Sequence, residues 1–294
     1  MSHSKKDICF IINPVSGDLE KSELIEELKK SFGEPEVKDR IFYTKKSGNP
    51  EMIRKILKEI RPRTMVVAGG DGTINLVARE ILNSGTRLGI IPAGSANGLA
   101  TELGVPENIK EAINLVKTGK TKKIDTLKIN NDYSFHLSDF GLNANVIRRF
   151  EEDPQRGFWA YAKHFLAEIF KIRSHEYIIE LPKERFRTKA SMLFIANARK
   201  FGTGALINPG GEIDDGSFEI IIVKAYKRSQ LWGKLPKFLR GKIEHIKFID
   251  VRSTQKAKII NPKNRTFQID GELAGRPDAV EIEILPASLS VIGK

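Results

Sequence analysis

Three short stretches carry the residue types that hold phosphate. They are Asn13-Pro14-Val15-Ser16-Gly17, Gly69-Gly70-Asp71-Gly72-Thr73 and Pro92-Ala93-Gly94-Ser95-Ala96-Asn97-Gly98. Where side chains are missing, backbone N–H groups can close on an anion. A helix that starts from such a loop adds the positive end of its dipole, about 0.3–1 kcal/mol when exposed and more when sheltered. Thr73 can cap that helix or donate its hydroxyl to a phosphate oxygen. Asp71 is the odd member, because a carboxylate beside a phosphate repels it unless a cation or proton intervenes. That points to Mg2+ coordination, direct or through water, or to proton abstraction. A lone Gly-Gly-Asp-Gly is equally a tight turn, and three such loops together favour the anion reading. Two acidic stretches further on, Asp214-Asp215-Gly216 and Asp270-Gly271 ahead of Glu272, read from spacing alone as turns. The second is a good hairpin turn.

Each loop needs a strand and a helix to place it. Residues 8–12 form a short apolar run before the first loop, and 19–32 repeat apolar residues at helical spacing. A strand at 40–44 and a helix at 50–60 follow. The β-branched run 64–68 leads into the second loop, with a helix over 74–82 after it. Residues 88–91 lead into the third loop, with another helix beyond. Repeated strand–loop–helix units imply a mostly parallel sheet covered on both faces, whose ligands sit beyond the carboxyl ends of the strands.

After about Ile124 strands dominate, at 126–129, 133–137, 177–181, 192–196, 218–223, 246–251, 256–260, 266–269 and 280–284. Turns rich in Gly, Pro, Asn and Asp separate them, as in an antiparallel sandwich. Helical interruptions fall near 158–171 and 229–240. The fold class is therefore α/β plus all-β: a Rossmann-like parallel-sheet domain at 1–125 and an antiparallel β-sandwich at 126–285.

Composition narrows the function classes. The chain has 294 residues, 40% hydrophobic and 29% charged, enough for two domains with their own cores. Its single cysteine excludes an intramolecular disulfide, and its five histidines lack metal-ligand spacing. No apolar run reaches the roughly 18–20 residues of a membrane span, and the N-terminus does not read as a signal peptide. A cytoplasmic protein is expected. The Walker, protein-kinase and dinucleotide glycine signatures are missing in context. The net charge of +12 sits almost wholly in residues 224–265, which hold 13 Lys/Arg and two acids. Such a patch suits an anionic membrane surface or nucleic acid, or is simply a solvated face. No nucleic-acid-binding motif accompanies it, so nucleic acid is not expected as a partner.

With these motifs in order, the chain resembles the soluble diacylglycerol kinase and sphingosine kinase superfamily, including the bacterial lipid kinases. Asn13-Pro14-x-Ser16-Gly17 looks like the family's first nucleotide loop, and Thr44 with Ser47-Gly48 like its contact near the adenosine. Gly69-Gly70-Asp71-Gly72-Thr73-Ile74-Asn75 resembles its hallmark, and Pro92 to Asn97, with Gly94, Ser95 and Asn97, its third loop. Asn197, Gly202-Thr203-Gly204, Pro209 and Asp214-Asp215-Gly216 look like its metal-binding segment, and Asp270-Gly271-Glu272 like its C-terminal catalytic motif. The hallmark alone is shared with the NAD kinases; the flanking loops suit a lipid kinase.

The resemblance implies ATP and Mg2+ as cofactors, in a cleft between the two domains, and residues 286–294 returning to the first. It implies Asp215 as a metal ligand, with the backbone carbonyls of Glu212 and Ser217 nearby. Glu272 is the first choice for the base that takes the proton of a lipid alcohol, and Asp71 competes. Asp270 would orient the site or support the metal, and Asp125 would join that network. The expected reaction is transfer of the ATP γ-phosphoryl group to a lipid hydroxyl. A NAD kinase-like nucleotide kinase and a non-catalytic binding module are the alternatives.

Departures from the family affect the acceptor. The third loop ends Asn97-Gly98, closer to sphingosine and ceramide kinases than to the bacterial Asn-Asp pattern, yet Asn145 stands where sphingosine kinases place an acid. The apolar stripe Phe158, Ala162, Phe165, Leu166 and Ile169 suits an acyl-chain cleft or packing on the sheet. Leu231, Trp232, Leu235, Phe238 and Leu239, interleaved with Lys234, Lys237 and Arg240, form a basic amphipathic pattern, weakened by Pro236. The expected partner is a lipid substrate at an anionic membrane, met transiently; a homodimer is left open.

Overall fold

The computed structural model describes residues 7–16, 21–94, 96–140, 174–201, 205–225, 246 and 248–294. The chain divides into two compact units, residues 1–124 with 287–294, and residues 125–286.

The first unit holds β1 (Ile8–Ile12), α1 (Lys21–Phe32), α2 (Glu34–Lys38), β2 (Ile41–Tyr43), α3 (Asn49–Glu59), β3 (Thr64–Gly69), α4 (Asp71–Ile81), β4 (Arg87–Pro92), α5 (Gly98–Glu102) and α6 (Ile109–Thr118). Strands β2, β1, β3 and β4 lie side by side and parallel. The end of the last strand, β17, joins β4 in parallel, with Val291 opposite Leu88. All six residues of β3 are buried, as a central strand covered on both faces requires. Helix α4 buries Ile74, Val77, Ala78 and Ile81, the face that a 3.6-residue period predicts. Helix α6 is closed by Asn108, whose side chain accepts from the backbone N–H groups of Lys110 and Glu111.

Strand β5 (Lys120–Ile129) leads into the second unit. There follow β6 (Asp132–Ser134), β7 (Leu137–Phe140), β8 (His175–Glu180), β9 (Arg185–Ala196), β10 (Lys200–Phe201), β11 (Ala205–Leu206), β12 (Phe218–Lys224), β13 (Ile249–Thr254), β14 (Lys256–Ile260), β15 (Phe267–Ile269), β16 (Glu272–Leu273) and β17 (Ala279–Gly293). The order β16–β15–β7–β9–β8–β14–β17 is antiparallel throughout, and β12 bridges β9 and β13. Phe140, Tyr177, Ile179, Leu193, Ile220, Ile259 and Phe267 build its core. The opposite face of the same strands carries charge in cross-strand pairs: Glu281 with Lys258 at 2.7 Å, Glu180 with Arg185 at 2.9 Å, and Glu176 with Arg187 at 3.4 Å. One face apolar and one face ionic is the alternation of a half-buried antiparallel sheet.

Several boundaries differ from the sequence reading. Strand β9 begins at Arg185 rather than 192, because Arg185, Arg187 and Lys189 alternate with Phe186 and Thr188 and point to solvent. Strand β13 runs three residues later than expected. Strand β17 continues far past residue 284, because its apolar alternation resumes at Leu289, Val291 and Ile292. Helix α2, with a proline in its first turn, had not been anticipated. The expected helices near 158–171 and 229–240 lie outside the described residues.

Candidate functional site

The carboxyl ends of β1, β3 and β4 bring the expected loops side by side. The backbone N–H of Asn13 donates to the Ala68 carbonyl at 3.0 Å, and that of Ala93 to the Gly69 carbonyl at 3.0 Å. Beyond these bonds the loops interlock. Asn13 Nδ2 donates to Thr73 Oγ1 at 3.0 Å, and Asn13 Oδ1 accepts from the Val15 N–H at 3.0 Å. Ser16 Oγ donates back to the Asn13 carbonyl at 3.2 Å, and Lys21 Nζ to the Ser16 carbonyl at 3.2 Å.

The glycines are set by contact. A Cβ added at Gly94 would lie 2.5 Å from the Gly70 Cα and 2.9 Å from Asn97 Oδ1, so two backbones meet where no side chain fits. Asn97 holds the third loop closed: its Oδ1 accepts from the Gly94 N–H at 2.9 Å, and its Nδ2 donates to the Gly94 carbonyl at 2.8 Å. Its φ of 51° is the left-handed conformation asparagine tolerates.

Helix α4 begins earlier than the expected residue 74, at Asp71 with Gly70 as the capping position. Asp71, Gly72 and Thr73 of the glycine loop therefore form the first helical turn. Gly70 offers no side chain to cap the first N–H groups, while Thr73 and Ile74 donate theirs to the Gly70 carbonyl at 3.0 Å each. Thr73 does not cap the helix; it lies in the first turn, and its hydroxyl oxygen accepts from Asn13 instead. Gly72 is exposed, which leaves a helix start of the kind that attracts anions.

The remaining expected contacts are placed as follows. Thr44 directly follows β2, its N–H donating to the Ile12 carbonyl at 3.0 Å. Ile74 and Asn75 are buried in the body of α4, so Ile74 can offer a ligand only its backbone. Asp71 is half-buried at the helix start. Gly17 and Ser95 lie outside the described residues.

In the second unit, Asp270 and Gly271 occupy a two-residue hairpin turn, with φ of 48° and 89°, between Ile269 and its partner Glu272. The Asp270 carboxylate is fully engaged. Its Oδ1 accepts from Ser134 Oγ at 2.8 Å and from the N–H groups of His136 and Leu137 at 3.0 and 2.9 Å; Oδ2 accepts from the Phe135 N–H at 2.8 Å. The Gly271 N–H donates to Gln268 Oε1 at 2.6 Å, and Gln268 Nε2 in turn donates to the buried Asp139. Of the two roles expected for Asp270, these four bonds suit orientation, since they tie the turn to residues 134–137. Glu272 stands exposed just beyond the clamped turn.

Asp125 braces the acidic loop. Its Oδ2 accepts from the Gly216 N–H at 2.7 Å and its own N–H donates to the Ile213 carbonyl at 2.8 Å. Asn197 Nδ2 donates to the Asp125 carbonyl at 2.8 Å. Asp215 Oδ1 accepts from both the N–H and the hydroxyl of Ser217, each at 2.9 Å, while Glu212 is exposed. Among the described residues no three His, Cys, Asp or Glu side chains converge as a metal cluster. A cation here would take the Asp215 carboxylate, peptide carbonyls and waters, an all-oxygen set that suits Mg2+.

Sequence reasoning missed the buried support of this loop. Asn208 Nδ2 donates to Glu219 Oε2 at 2.5 Å, both residues almost fully buried. Burial pushes the Glu219 carboxyl above its ordinary value; hydrogen bonds from Asn208 and Ser253 oppose this, and the nearby Asp215 charge adds to it. Gly211 packs against it, since an added Cβ there would collide with Asn208, a contact that no spacing in the sequence marks.

The basic segment is less uniform than its composition suggests. Lys224 pairs with Asp250 at 3.3 Å, and Arg252 with Asp250 at 3.2 Å. Lys258 is in the ladder to Glu281. Six further Lys/Arg fall within 226–245, outside the described residues, as do Asn145 and Gly202-Thr203-Gly204.

Residues 7–129 match the diacylglycerol kinase catalytic domain, and residues 138–293 match the YegS C-terminal NAD kinase beta sandwich-like domain. A diacylglycerol kinase of Staphylococcus aureus (strain JH9) is 28% identical over 283 residues, covering 92% of this chain and 88% of its own. A probable lipid kinase YegS-like of Klebsiella pneumoniae (strain 342) is 28% identical over 240 residues, 79% of this chain and 78% of its own. The crystal structure of a diacylglycerol kinase from Bacillus anthracis str. Sterne superposes with a TM-score of 0.75 over 98% of this chain and 97% of that one. At 20% identity this last likeness speaks for the fold.

Proposed function

Because the chain belongs to the family that joins a diacylglycerol kinase catalytic domain to a YegS C-terminal domain, and is thus a phosphotransferase with an alcohol acceptor, we propose that it moves the ATP γ-phosphoryl group to a lipid hydroxyl. The observation that carries the nucleotide half is the interlocked cradle of Asn13, Gly70, Thr73 and Gly94 at adjacent strand ends. Its backbone amides and helix start neutralise phosphate charge without desolvating a charged side chain.

Phosphoryl transfer asks the protein mainly to position groups and stabilise charge. Glu272 accepts the proton of the lipid hydroxyl as its oxygen bonds to the γ-phosphorus and the bond to the departing ADP oxygen breaks. Asp270 fixes the turn that carries Glu272. Asp71 contributes charge control at the phosphates. Mg2+, held by Asp215 and the carbonyls of Glu212 and Ser217, would neutralise phosphate charge when bound.

Residues 224–265 bring the enzyme to an anionic membrane, each basic residue near the surface contributing about 1 kcal/mol. With Lys224, Arg252 and Lys258 already paired to acids, the charge for that contact comes chiefly from 226–245. No described helix is long and apolar enough to cross a membrane.

Incubation with labelled ATP, Mg2+ and separate arms of diacylglycerol, sphingoid base, ceramide, phosphatidylglycerol and NAD tests the reading. Label is expected in a lipid, and its loss on chelation of the metal. Label only in NAD would replace the lipid acceptor with a dinucleotide.

A further inference from the structure

We propose that Gln268 is a positioning residue for Glu272, its carboxamide turned the working way round by the buried Asp139. This rests on reading Glu272 as the base that takes the lipid proton. Glu272 stands exposed on the two-residue strand β16. Space around the turn ahead of it is open, since a Cβ added at Gly271 would meet no atom within 4 Å. The backbone that leads into Glu272 is therefore aimed by hydrogen bonds rather than by packing. The four bonds to the Asp270 carboxylate hold the first residue of the turn. The second, Gly271, is the residue joined directly to Glu272, and its N–H has no ladder partner in a two-residue hairpin. Here Gln268 Oε1 accepts that N–H at 2.6 Å.

The strand register makes this possible. Strands β7 and β15 pair antiparallel with Gln268 directly opposite Asp139, so the two side chains share one face of the sheet. Both are buried. A carboxylate only accepts, so the carboxamide must turn Nε2 toward Asp139, as it does. Its oxygen then faces the other way, where it meets the Gly271 N–H. The two ends of a carboxamide are nearly alike in shape, and its neighbours decide which way it lies. With an acceptor at one end and a peptide N–H at the other, only one orientation forms both bonds.

Stability alone does not account for the pair, since apolar side chains of similar volume would serve the sandwich as well or better. What an apolar pair could not supply is an acceptor for the N–H one residue ahead of Glu272. A base must lie within hydrogen-bond reach of the proton it takes, and a misplacement of about 1 Å can cost about a hundredfold in rate.

Gln268→Met keeps the length of the side chain but puts a weakly accepting sulfur in place of the carboxamide. Turnover is read on the full chain with labelled ATP and whichever of diacylglycerol, sphingoid base, ceramide or phosphatidylglycerol takes the label. Rates are expressed per mole of folded protein, with the folded fraction taken from urea denaturation. Gln268→Met should lower kcat about ten- to a hundredfold and leave KM for ATP unchanged. In a Glu272→Gln background the same substitution should lower the residual rate no further, because nothing is left to position. Asp139→Asn, which keeps an acceptor for Nε2, should retain most of the turnover. Normal kcat in Gln268→Met, or equal fold-losses with and without Glu272, would overturn the proposal while leaving Glu272 as the base. A loss in Asp139→Asn as large as in Gln268→Met would overturn the part given to Asp139. Near-normal turnover by Glu272→Gln, or no label in any of the four lipids, would remove the base itself, and the proposal with it.

Discussion

Among the described residues, the buried polar side chains of the first unit are the uncharged Thr64, Thr73, Asn75, Thr86 and Ser288, whereas the second unit buries Asp125, Asp139, Glu219 and His136. Both units must hold loops at fixed positions, and they do so by opposite means. Around Gly70 and Gly94 the geometry comes from missing side chains, with backbone meeting backbone. Around residues 134–137 it comes from one carboxylate gripping three consecutive N–H groups and a hydroxyl. Under the proposed function the contrast follows from what each has to meet. A cradle for an anion works best with uncharged donors left free, since an acid inside it would repel the guest. A loop that must present an acid can be fixed by other acids, provided every buried charge is saturated.

The comparison breaks most severely at Asp270. Asp270→Ala removes the acceptor for four donors and leaves an alanine at φ 48°. The expected loss is about 4 kcal/mol or more of unfolding free energy, read by urea denaturation. Asp270→Asn should lose distinctly less, because its remaining oxygen can still serve Ser134, His136 and Leu137 and asparagine tolerates that backbone. Equal stability of the alanine variant would mean that the clamp holds nothing.

Two residues away, Glu272 should respond in the opposite manner. It is exposed, so Glu272→Gln should unfold like the unaltered protein yet lose about a hundredfold or more of lipid phosphorylation. Near-normal turnover in a radiolabelled-ATP assay would take the base role away from Glu272 and leave Asp71 as the candidate. The pair would separate an acid that holds structure from the acid proposed to do chemistry within the same Asp-Gly-Glu tripeptide.

How much of this was readable beforehand follows the same divide. The first unit's loops are local objects: glycines, a strand before and a helix after, all within a few residues, so spacing alone located them. The hairpin at Asp270-Gly271 was legible for the same reason. The identity of its carboxylate's partners was not, because Ser134 to Leu137 precede it by 133–136 residues and nothing in Asp-Gly distinguishes a plain turn from a clamp. Strand β9 was half-read, since its charged alternation Arg185-Phe186-Arg187-Thr188-Lys189 looks polar until its partner β8 supplies Glu176 and Glu180. The start of α4 was misplaced because glycine disfavours helix interiors, a propensity overridden where two backbones must touch.

In the first unit the sharpest test is Gly94→Ala. The added methyl would stand 2.5 Å from the Gly70 Cα, so the loops must part. A loss of about 1–3 kcal/mol in stability is expected, with weakened binding of inorganic tripolyphosphate. Gly271→Ala, by contrast, has open space around its Cβ and meets only the strain of φ 89°, so it should leave tripolyphosphate binding unaltered. Similar tripolyphosphate affinities for the two variants would show that the close approach of Gly70 and Gly94 does not shape the cradle.

The smallest effect concerns pH, and it should belong to the second unit, where the buried carboxylates are. Glu219 has its carboxyl raised above the ordinary 4.5, chiefly by burial. The folded protein therefore holds that proton more tightly than the unfolded chain does. As pH rises above 4.5 the unfolded chain releases it first, so this group's contribution to stability is complete below that value and declines until the folded carboxyl also ionises. Glu219→Gln keeps a neutral acceptor for Asn208 at every pH, and should flatten the fall in thermal stability just above pH 4.5. An unchanged slope in that window would assign the pH response to other carboxylates and leave Glu219 a purely geometric support for the Asp215 loop.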